Sequence, residues 1–260
     1  MSNAAYYQRR AAIVCTIGPA TESIAQLTSL IRAGMTIARL NFSHGDFKQH
    51  AGYISNIRRA AVQARLPVAV LIDLPGPKYR IGRLKDGQVI LLKGKTVRLT
   101  DADIEGDETV LPVTLPDLAR NIRKNDAVIL DDGALELKVR EIDGNDIICR
   151  VMDGGLLRQG RGLVVPGMRI PVPFLTDKLK EAALFAVSQK PDYLALSFVT
   201  CKEDIEDVRK LLAAKGVSIP IISKIERAEA VEHFDSILAE SDGIMIARGD
   251  LGVEMPLEQV

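Results

Sequence analysis

Six short apolar segments alternate with amphipathic helical patterns along this chain, at intervals of about 25 residues with one long interruption. The segments lie at residues 11–17, 35–42, 68–73, 193–199, 219–223 and 243–247. They lack strict alternation of apolar and polar residues, which is typical of strands covered on both faces. Because strands alternate with helices, we predict an α/β fold built on a parallel sheet with helices outside it.

Helix boundary signals accompany these segments. Thr21 is the predicted N-cap of the first helix, and Gly34 stands just past its end. Thr200 and Glu203 form a capping-box pattern that predicts the start of a later helix, which Gly216 closes.

The interruption, residues 81–170, has a different pattern. Short strand-like segments are separated by turn signals such as Asp132-Gly133. We interpret this region as a small all-β domain inserted between the third strand and its return helix, which begins near Thr176. The predicted organisation is a main domain formed by residues 1–80 and 171–260, with the insert at 81–170.

Composition and charge exclude several classes of protein. Lys+Arg and Asp+Glu each number 34, so no net charge favours nucleic acid or an anionic membrane surface. No apolar run approaches the roughly 20 residues of a membrane span, and no export signal is recognisable. The three cysteines lack CxxC or metal-ligand spacing. We therefore expect a cytoplasmic protein that binds neither nucleic acid nor membrane.

Charged residues follow the last two predicted strands. Lys224 and Glu226 share one face of their strand, and Asp250 follows the next strand. Two carboxylates and an ammonium at neighbouring strand ends suit a divalent cation and an anionic substrate, since magnesium binds through one or two carboxylates plus substrate oxygens. The N–H groups of Gly249 and Asp250, at the opening of a predicted loop, are suited to a substrate carboxylate. Solvated loop carboxylates are the simpler alternative.

Polar side chains also follow the second strand, where Arg39, Asn41 and Ser43 share one face. Unpartnered in an apolar core, each would cost about 1–3 kcal/mol. They indicate either an edge strand that faces water or an ion site at the strand ends. We interpret His44 as a loop residue satisfied locally or in contact with a nucleotide, and His50 and His233 as surface helix positions.

Asp73 ends the third strand and precedes a segment with two prolines and a glycine, Leu74-Pro75-Gly76-Pro77. This segment is either a solvated turn, with Lys78 and Arg80 facing water, or a hinge leading into the insert.

Five segments, in this order, resemble signatures of the pyruvate kinase family. They are residues 13–19 (IVCTIGP), 38–44 (ARLNFSH), 73–80 (DLPGPKYR), 223–226 (SKIE) and 246–254 (IARGDLGVE). The resemblance runs from about residue 10 to the last residue. It implies a (β/α)8 TIM-type barrel, here truncated after about six strands, with the insert as a mobile β-barrel lid. The implied reaction transfers the phosphoryl group of phosphoenolpyruvate to ADP, giving pyruvate and ATP.

The resemblance also implies roles for single residues. Lys224 would stabilise charge on the transferring phosphoryl group and the enolate oxygen, and Arg39 would clamp the phosphate with Arg80 nearby. Glu226 and Asp250 would hold Mg²⁺, while the backbone of Gly249 and Asp250 would receive the substrate carboxylate. The residues that match the family's nucleotide contacts are Asn41, His44, Arg80 and Arg161.

A monovalent cation site is implied at Asn41, Ser43 and Asp73, which match potassium ligands in much of the family. Potassium-requiring members carry Glu where this chain has Lys78. We hypothesise that the Lys78 ammonium replaces this cation, so that potassium is not required. Arg161 stands where the family uses a lysine, which keeps the charge but changes the geometry.

The chain ends after the sixth predicted strand, whereas family members continue with two more strands and a C-terminal domain. Six parallel strands leave open edges. We therefore expect a homo-oligomer, completion of the barrel by another chain, or a fragment of a longer protein. The alternatives to a kinase are a non-catalytic, ligand-binding piece and a magnesium-dependent lyase of the phosphoenolpyruvate/pyruvate barrel group, although the insert and the ARLNFSH segment count against a lyase.

Overall fold

The computed structural model describes residues 11–260. Its first region contains β1 (Val14–Thr16), α1 (Ile24–Ala33), β2 (Ile37–Asn41), α2 (Phe47–Ala64) and β3 (Ala69–Leu74). The next region contains β4 (Tyr79–Arg80), β5 (Gln88–Leu91), β6 (Thr96–Thr100), β7 (Val110–Pro112), α3 (Leu118–Asn121), β8 (Ala127–Leu130), β9 (Leu135–Asp143), β10 (Asp146–Asp153), β11 (Gly155–Arg158) and β12 (Gly162–Val164). The last region contains α4 (Asp177–Gln189), β13 (Tyr193–Leu196), α5 (Lys202–Ala213), β14 (Ile221–Ile225), α6 (Ala228–Glu232), α7 (Phe234–Glu240), β15 (Gly243–Ile246) and α8 (Arg248–Glu254). Among the described residues, no helix combines the length and apolar composition that a membrane span requires.

Six strands form a curled sheet that corresponds to half of a parallel barrel, in the order β1-β2-β3-β13-β14-β15. The pairs β1–β2, β2–β3, β3–β13 and β13–β14 are parallel. Central strands are buried on both faces, as Val70–Leu74 illustrates. The predicted α/β fold of truncated TIM-barrel type is therefore confirmed.

The start of α1 differs from the prediction by two residues. Ser23 is the N-cap, and its side chain forms a capping box with Gln26. The Thr21 hydroxyl instead contacts the backbone of Gly18, accepting from its N–H at 3.2 Å. At the other end, Gly34 has φ +126°, a conformation that favours glycine, and it caps the helix as predicted.

The start of α5 also lies one residue from the prediction. Cys201 is the N-cap and Asp204, rather than Glu203, completes the capping box. The Asp204 carboxylate accepts hydrogen bonds from the backbone N–H groups of Thr200 and Cys201. An acidic side chain in the first helical turn also complements the helix dipole.

The inserted region is all-β apart from the short helix α3 and two 3-10 turns, Lys85–Gly87 and Asp131–Gly133. Seven of its strands form a second curled sheet in the order β4-β12-β8-β9-β10-β6-β7, and β11 pairs with β5. The long hairpin β9–β10 turns at Gly144, which has φ +59°. Alternate residues of these strands point into one apolar core, which includes Leu99, Val128, Leu130, Leu137, Val139 and Cys149.

The chain forms two compact units. One extends up to Gly76 and includes Phe174–Lys224 and His233–Met245. The other comprises Pro77–Pro173, Ile225–Glu232 and Ile246–Val260. The division of the chain at residues 80 and 170 remains a prediction.

Candidate active site

A buried carboxylate, Asp73, organises the polar cluster of the first unit. Its Oδ2 lies 2.8 Å from Arg39 Nε and 3.2 Å from Lys224 Nζ, and its Oδ1 accepts a hydrogen bond from the Ser197 hydroxyl at 3.0 Å. Lys224 Nζ also donates to Ser197 Oγ at 2.9 Å, and Arg39 Nη1 donates to Thr16 Oγ1 at 2.9 Å. Five strands or strand ends, those of β1, β2, β3, β13 and β14, thereby contribute to one hydrogen-bonded network.

Strand order explains why these residues meet. Asp73 pairs in register with Asn41 of β2 and with Ala195 of β13, and Leu196 of β13 pairs with Ser223 of β14. Parallel strands end on the same side of a sheet, so polar residues near their carboxyl ends converge there. Ser197 follows β13 immediately.

The charge balance of the cluster favours an anion. The side chain of Asp73 is completely buried, whereas those of Lys224 and Arg39 are 9% and 24% exposed. A carboxylate without cationic partners would be costly at such a place. Here two cations share one carboxylate, which leaves a net positive charge on the side that solvent reaches. Phosphate and carboxylate groups are the natural ligands of such a site.

The explanation of β2 as an edge strand is wrong, because β2 lies between β1 and β3. Its polar face is satisfied by partners on both neighbours. Asn41 Oδ1 accepts the N–H of Ser43 at 3.0 Å and so stabilises the turn that follows the strand. An additional monovalent cation placed against Asp73 would meet the positive charges of Arg39 and Lys224.

One histidine, His50, differs from its predicted exposure, whereas His44 and His233 do not. His44 is exposed in the turn after β2, and His233 is exposed between α6 and α7. His50, predicted to be a surface residue, is only 4% exposed. Its ring stacks on Phe42 with centroids 4.3 Å apart, and its Nε2 is 2.7 Å from the carbonyl oxygen of His44. Burial lowers the pKa of His50, although the His44 carbonyl and Asp46 act in the opposite direction.

The proposed metal ligands lie in the second unit. Glu226 follows β14 and is 1% exposed, while Asp250 lies in the first turn of α8 rather than in a loop. Lys78 Nζ is 3.3 Å from Asp250 Oδ1 and 3.7 Å from Asp132 Oδ1. Asp250 therefore already attracts a cation, the Lys78 ammonium.

Both carboxylates are chemically suited to magnesium, which prefers oxygen ligands and keeps several for water and substrate. A Cβ built on Gly249 meets no atom within 4 Å apart from its own chain neighbours and helix backbone, so there is open space at Gly249. Within the described part of the chain, no group of three or more His, Cys, Asp or Glu residues forms a closed metal site. Two carboxylates, those of Glu226 and Asp250, are a donor set that fits a metal which completes its coordination with substrate and water.

Arg80 and Arg161 lie on adjacent segments of the inserted region, since Arg80 of β4 pairs with Gly162 of β12 and Ile81 N–H donates to the carbonyl of Arg161. Arg80 Nη1 donates to the carbonyl of Gly160 at 3.0 Å, and Arg161 Nε lies 3.2 Å from Asp131 Oδ1. The side chain of Arg161 is 45% exposed.

Three polar residues with contacts at these sites were missed in the sequence. Ser197 binds both Asp73 and Lys224, and its position directly after an apolar strand was the available signal. Arg227 and Glu254, both buried and 3.7 Å apart, had no such signal because their partners are distant in the sequence.

Comparison with known proteins gives a consistent picture. The family model described as the barrel domain of pyruvate kinase matches residues 8–260. The pyruvate kinase of Thermococcus litoralis is 44% identical over 248 residues, which cover 95% of this chain and 52% of that protein. Pyruvate kinase 2 of Synechocystis sp. is 45% identical over 256 residues, covering 97% and 43%. That of Corynebacterium efficiens is 42% identical over 253 residues, covering 97% and 53%.

The chain thus spans about half the length of the curated relatives that it matches. The match includes the strand ends that carry Arg39, Asp73, Lys224 and Asp250. This chain belongs to the pyruvate kinase family.

Proposed function

We propose that this chain carries the phosphoryl-transfer site of a pyruvate kinase, which moves the phosphoryl group of phosphoenolpyruvate to ADP and yields pyruvate and ATP in glycolysis. The observation that carries this proposal is the cluster of Arg39, Asp73, Ser197 and Lys224 at the carboxyl ends of parallel strands. A net positive, largely buried cluster suits a reaction in which charge develops on phosphoryl and enolate oxygens.

Lys224 and Arg39 are the proposed catalytic residues of this cluster, together with Arg80. Because Asp73 and Ser197 fix the Lys224 ammonium, little reorganisation is needed when negative charge forms beside it. The partly exposed Arg39 guanidinium is placed to bind the phosphate before transfer. The P–O bond to the enol oxygen breaks as the ADP oxygen bonds to phosphorus, and the resulting enolate then takes up a proton.

We assign the divalent cation to Glu226 and Asp250, because both are carboxylates and the space beside Gly249 is open. When bound, Mg²⁺ would neutralise charge on the phosphoryl oxygens. The first N–H groups of a helix have no intrahelical partner. Those of Gly249 and Asp250, in the first turn of α8, are therefore suited to the substrate carboxylate.

The nucleotide is assigned to Asn41, His44, Arg80 and Arg161. Exposure of His44 and of the Arg161 side chain supports this assignment. A planar guanidinium at Arg161 would bind phosphate oxygens in pairs, which an ammonium does not do.

The monovalent site of Asn41, Ser43 and Asp73 is proposed not to require potassium. Lys78 supplies a fixed positive charge, and Arg39 and Lys224 already neutralise Asp73. Titration with potassium in a buffer free of other alkali ions tests this, since a strong requirement for activity would contradict it.

We place the protein in the cytoplasm, with small-molecule partners rather than nucleic acid or membrane, because its charges balance and its cysteines Cys15, Cys149 and Cys201 are free thiols. We also propose that it works as a homo-oligomer or is completed by another chain.

The test is ADP-dependent formation of pyruvate from phosphoenolpyruvate and Mg²⁺, compared between the native chain, Lys224→Met and Lys215→Met. Lys215 is an exposed lysine at a helix end and controls for loss of charge alone. Activity in the native chain and in Lys215→Met that is lost in Lys224→Met would support the assigned site. Formation of pyruvate without ADP would instead support the lyase alternative. Calorimetric binding of phosphoenolpyruvate without turnover would support the ligand-binding alternative.

A further inference from the structure

Arg227, which follows the proposed metal ligand Glu226 in the chain, has an unusual environment for an arginine. Its side chain is 6% exposed. One guanidinium nitrogen donates to the carbonyl oxygen of Met168, and the same group lies 3.7 Å from Glu254 Oε1 and 3.8 Å from Glu229 Oε2. Among the described residues, its Nε–H has no hydrogen-bond partner. The group is therefore held by charge and by one backbone carbonyl.

Glu254, the main acidic partner, is equally buried, with 6% of its side chain exposed. Burial raises the pKa of its carboxyl group, while Arg227 and the backbone N–H of Gly167 act in the opposite direction. Gly167 and Met168 belong to one turn, closed by a hydrogen bond from Met168 N–H to the carbonyl of Val165 at 3.0 Å. Gly167 has φ +73° there, a conformation that favours glycine.

The turn Val165–Met168 thus interacts with two oppositely charged side chains. Arg227 donates to the carbonyl group of Met168, and the N–H of Gly167 favours the ionised form of Glu254. The bond from Arg227 is charge-assisted, which makes it stronger than a bond between neutral groups. The residues after β14, helix α8 and the turn Val165–Met168, which follows β12, are therefore held together. We call this arrangement the clamp.

The clamp lies next to both proposed magnesium ligands. Arg227 is the next residue in the chain after Glu226. Glu254 is four residues after Asp250 in α8, hence on the same face one turn later. Fixing Arg227 against Glu254 therefore fixes the strand end that carries one ligand relative to the helix that carries the other. Metal affinity depends strongly on such orientation of ligands by neighbouring groups.

We propose that Arg227 and Glu254 are positioning residues that set the geometry of Glu226 and Asp250 for a divalent cation, with the turn Val165–Met168 as the third member of the clamp. The inference rests on the metal assignment of the proposed function. A buried ion pair is an expensive way to stabilise a fold, and apolar residues of the same volume often do better. A need to hold two metal ligands at a defined spacing would explain why a buried ion pair of Arg227 and Glu254 lies here.

The experiment is titration of the full chain with Mn²⁺, an oxygen-seeking divalent ion that electron paramagnetic resonance detects directly. The variants are Arg227→Met, Arg227→Lys, Glu254→Gln and Glu226→Gln. Arg209→Met is the matched control, because Arg209 also bridges a backbone carbonyl, that of Glu240, and a carboxylate, that of Asp242. Circular dichroism and thermal unfolding are recorded for every variant.

We expect Arg227→Met and Glu254→Gln to weaken Mn²⁺ binding by about 10- to 100-fold in protein that remains folded, the usual effect of removing a residue that orients a metal ligand. Arg227→Lys should recover part of the affinity, since it restores the charge but not the fork of donors. Arg209→Met should bind Mn²⁺ as the native chain does, even where its unfolding temperature falls.

Two results would overturn the inference, and they distinguish the positioning role from the metal site itself. Native Mn²⁺ affinity in Arg227→Met and Glu254→Gln, together with its loss in Glu226→Gln, would overturn the positioning role alone. Native affinity in Glu226→Gln would overturn the proposed metal site and the inference with it. If Arg227→Met does not fold, Arg227→Lys and the nearly isosteric Glu254→Gln decide the question.

Discussion

Asp73 has two cationic partners and a hydroxyl donor in a place without access to water. Its side chain therefore balances the charges that Arg39 and Lys224 need for their proposed work on phosphate. Attraction between the carboxylate and the two cations offsets the cost of burying these charges, so the cost rises when any one of the three is lost. The network is consequently sensitive to the loss of a single charge.

Replacement of Asp73 by asparagine should lower the free energy of unfolding by about 3 kcal/mol, at the low end for loss of one partner of a buried ion pair. The low end applies because Arg39 reaches solvent. Urea denaturation measures the change. Asp207→Asn is the control, as Asp207 makes an exposed pair with Lys210 and should matter little. Equal stability of Asp73→Asn and the native chain would contradict the assigned charge balance.

The burial of His50 predicts that the free energy of unfolding of the chain depends on pH. Burial lowers the pKa of this imidazole below its ordinary value of 6.5 in the folded chain. The unfolded chain therefore binds the proton more readily, so stability that is present above pH 6.5 is lost as pH falls toward the folded-state pKa. Unfolding temperatures between pH 7.5 and 5 should fall more steeply for the native chain than for His50→Gln. Parallel curves would show that His50 contributes nothing.

At the scale of elements, the sequence predicted the alternating strands and helices. It did not predict the features that depend on tertiary contacts. Strand ends located Arg39, Asp73 and Lys224, because apolar runs mark strands and polar residues stand at their ends. Strands as short as β4 and β12 have no measurable periodicity. Thr21 and Ser23 are both residue types that cap helices well, and the contact of Thr21 with Gly18 leaves Ser23 as the cap.

The burial of His50 can be predicted from the apolar pattern of its helix. His50, Tyr53, Ile54 and Ile57 of α2 have the spacing of one helical face, and all four are buried. The pattern of the helix therefore predicted the burial of His50 better than its residue type did.

The turn after β3 supplies a prediction about loop packing. A Cβ built on Gly76 would lie 2.0 Å from the carbonyl oxygen of Ser197, an impossible contact with backbone. Gly76→Ala should therefore displace the segment that carries Ser197, weaken its bonds to Asp73 and Lys224, and lower affinity for phosphoenolpyruvate at least several-fold in calorimetry.

Gly52→Ala is the matched control for this change. Gly52 lies in α2, and its Cβ would meet nothing within 4 Å. Alanine favours a helix over glycine by about 0.5–1 kcal/mol, so this variant should be slightly more stable and should bind phosphoenolpyruvate normally. Equal affinity in Gly76→Ala and Gly52→Ala would show that the Ser197 segment adapts without loss.

At the scale of the whole molecule, the fold class followed from the sequence because alternation of strands and helices permits few topologies. The identity of the residues that hold the second unit together did not follow. Arg227 meets Met168, 59 positions earlier, and Glu254 meets Gly167, and no local pattern reports such pairs. Contacts of this kind become visible only in the folded chain.

Self-association is the remaining prediction at this scale. In the described sheet the outer strands are β1 and β15, and exposed apolar side chains lie on them or beside them, with Ile13, Val14 and Ile246 each about half exposed. Outer strands of a sheet have unpaired N–H and C=O groups, which pair readily with another strand unless charges prevent it. We therefore expect sedimentation velocity to detect dimers or larger species of this chain at micromolar concentration.

Charge at the outer strands should oppose this association. Ile246→Lys and Val14→Lys are expected to shift the sedimentation profile toward monomer, because a buried ammonium at a strand–strand contact is costly. Val62→Lys removes an apolar side chain that is 79% exposed on helix α2 rather than on a strand, and so controls for surface hydrophobicity alone. A monomer at every concentration in the native chain, or an equal response of all three variants, would contradict association through the sheet edges.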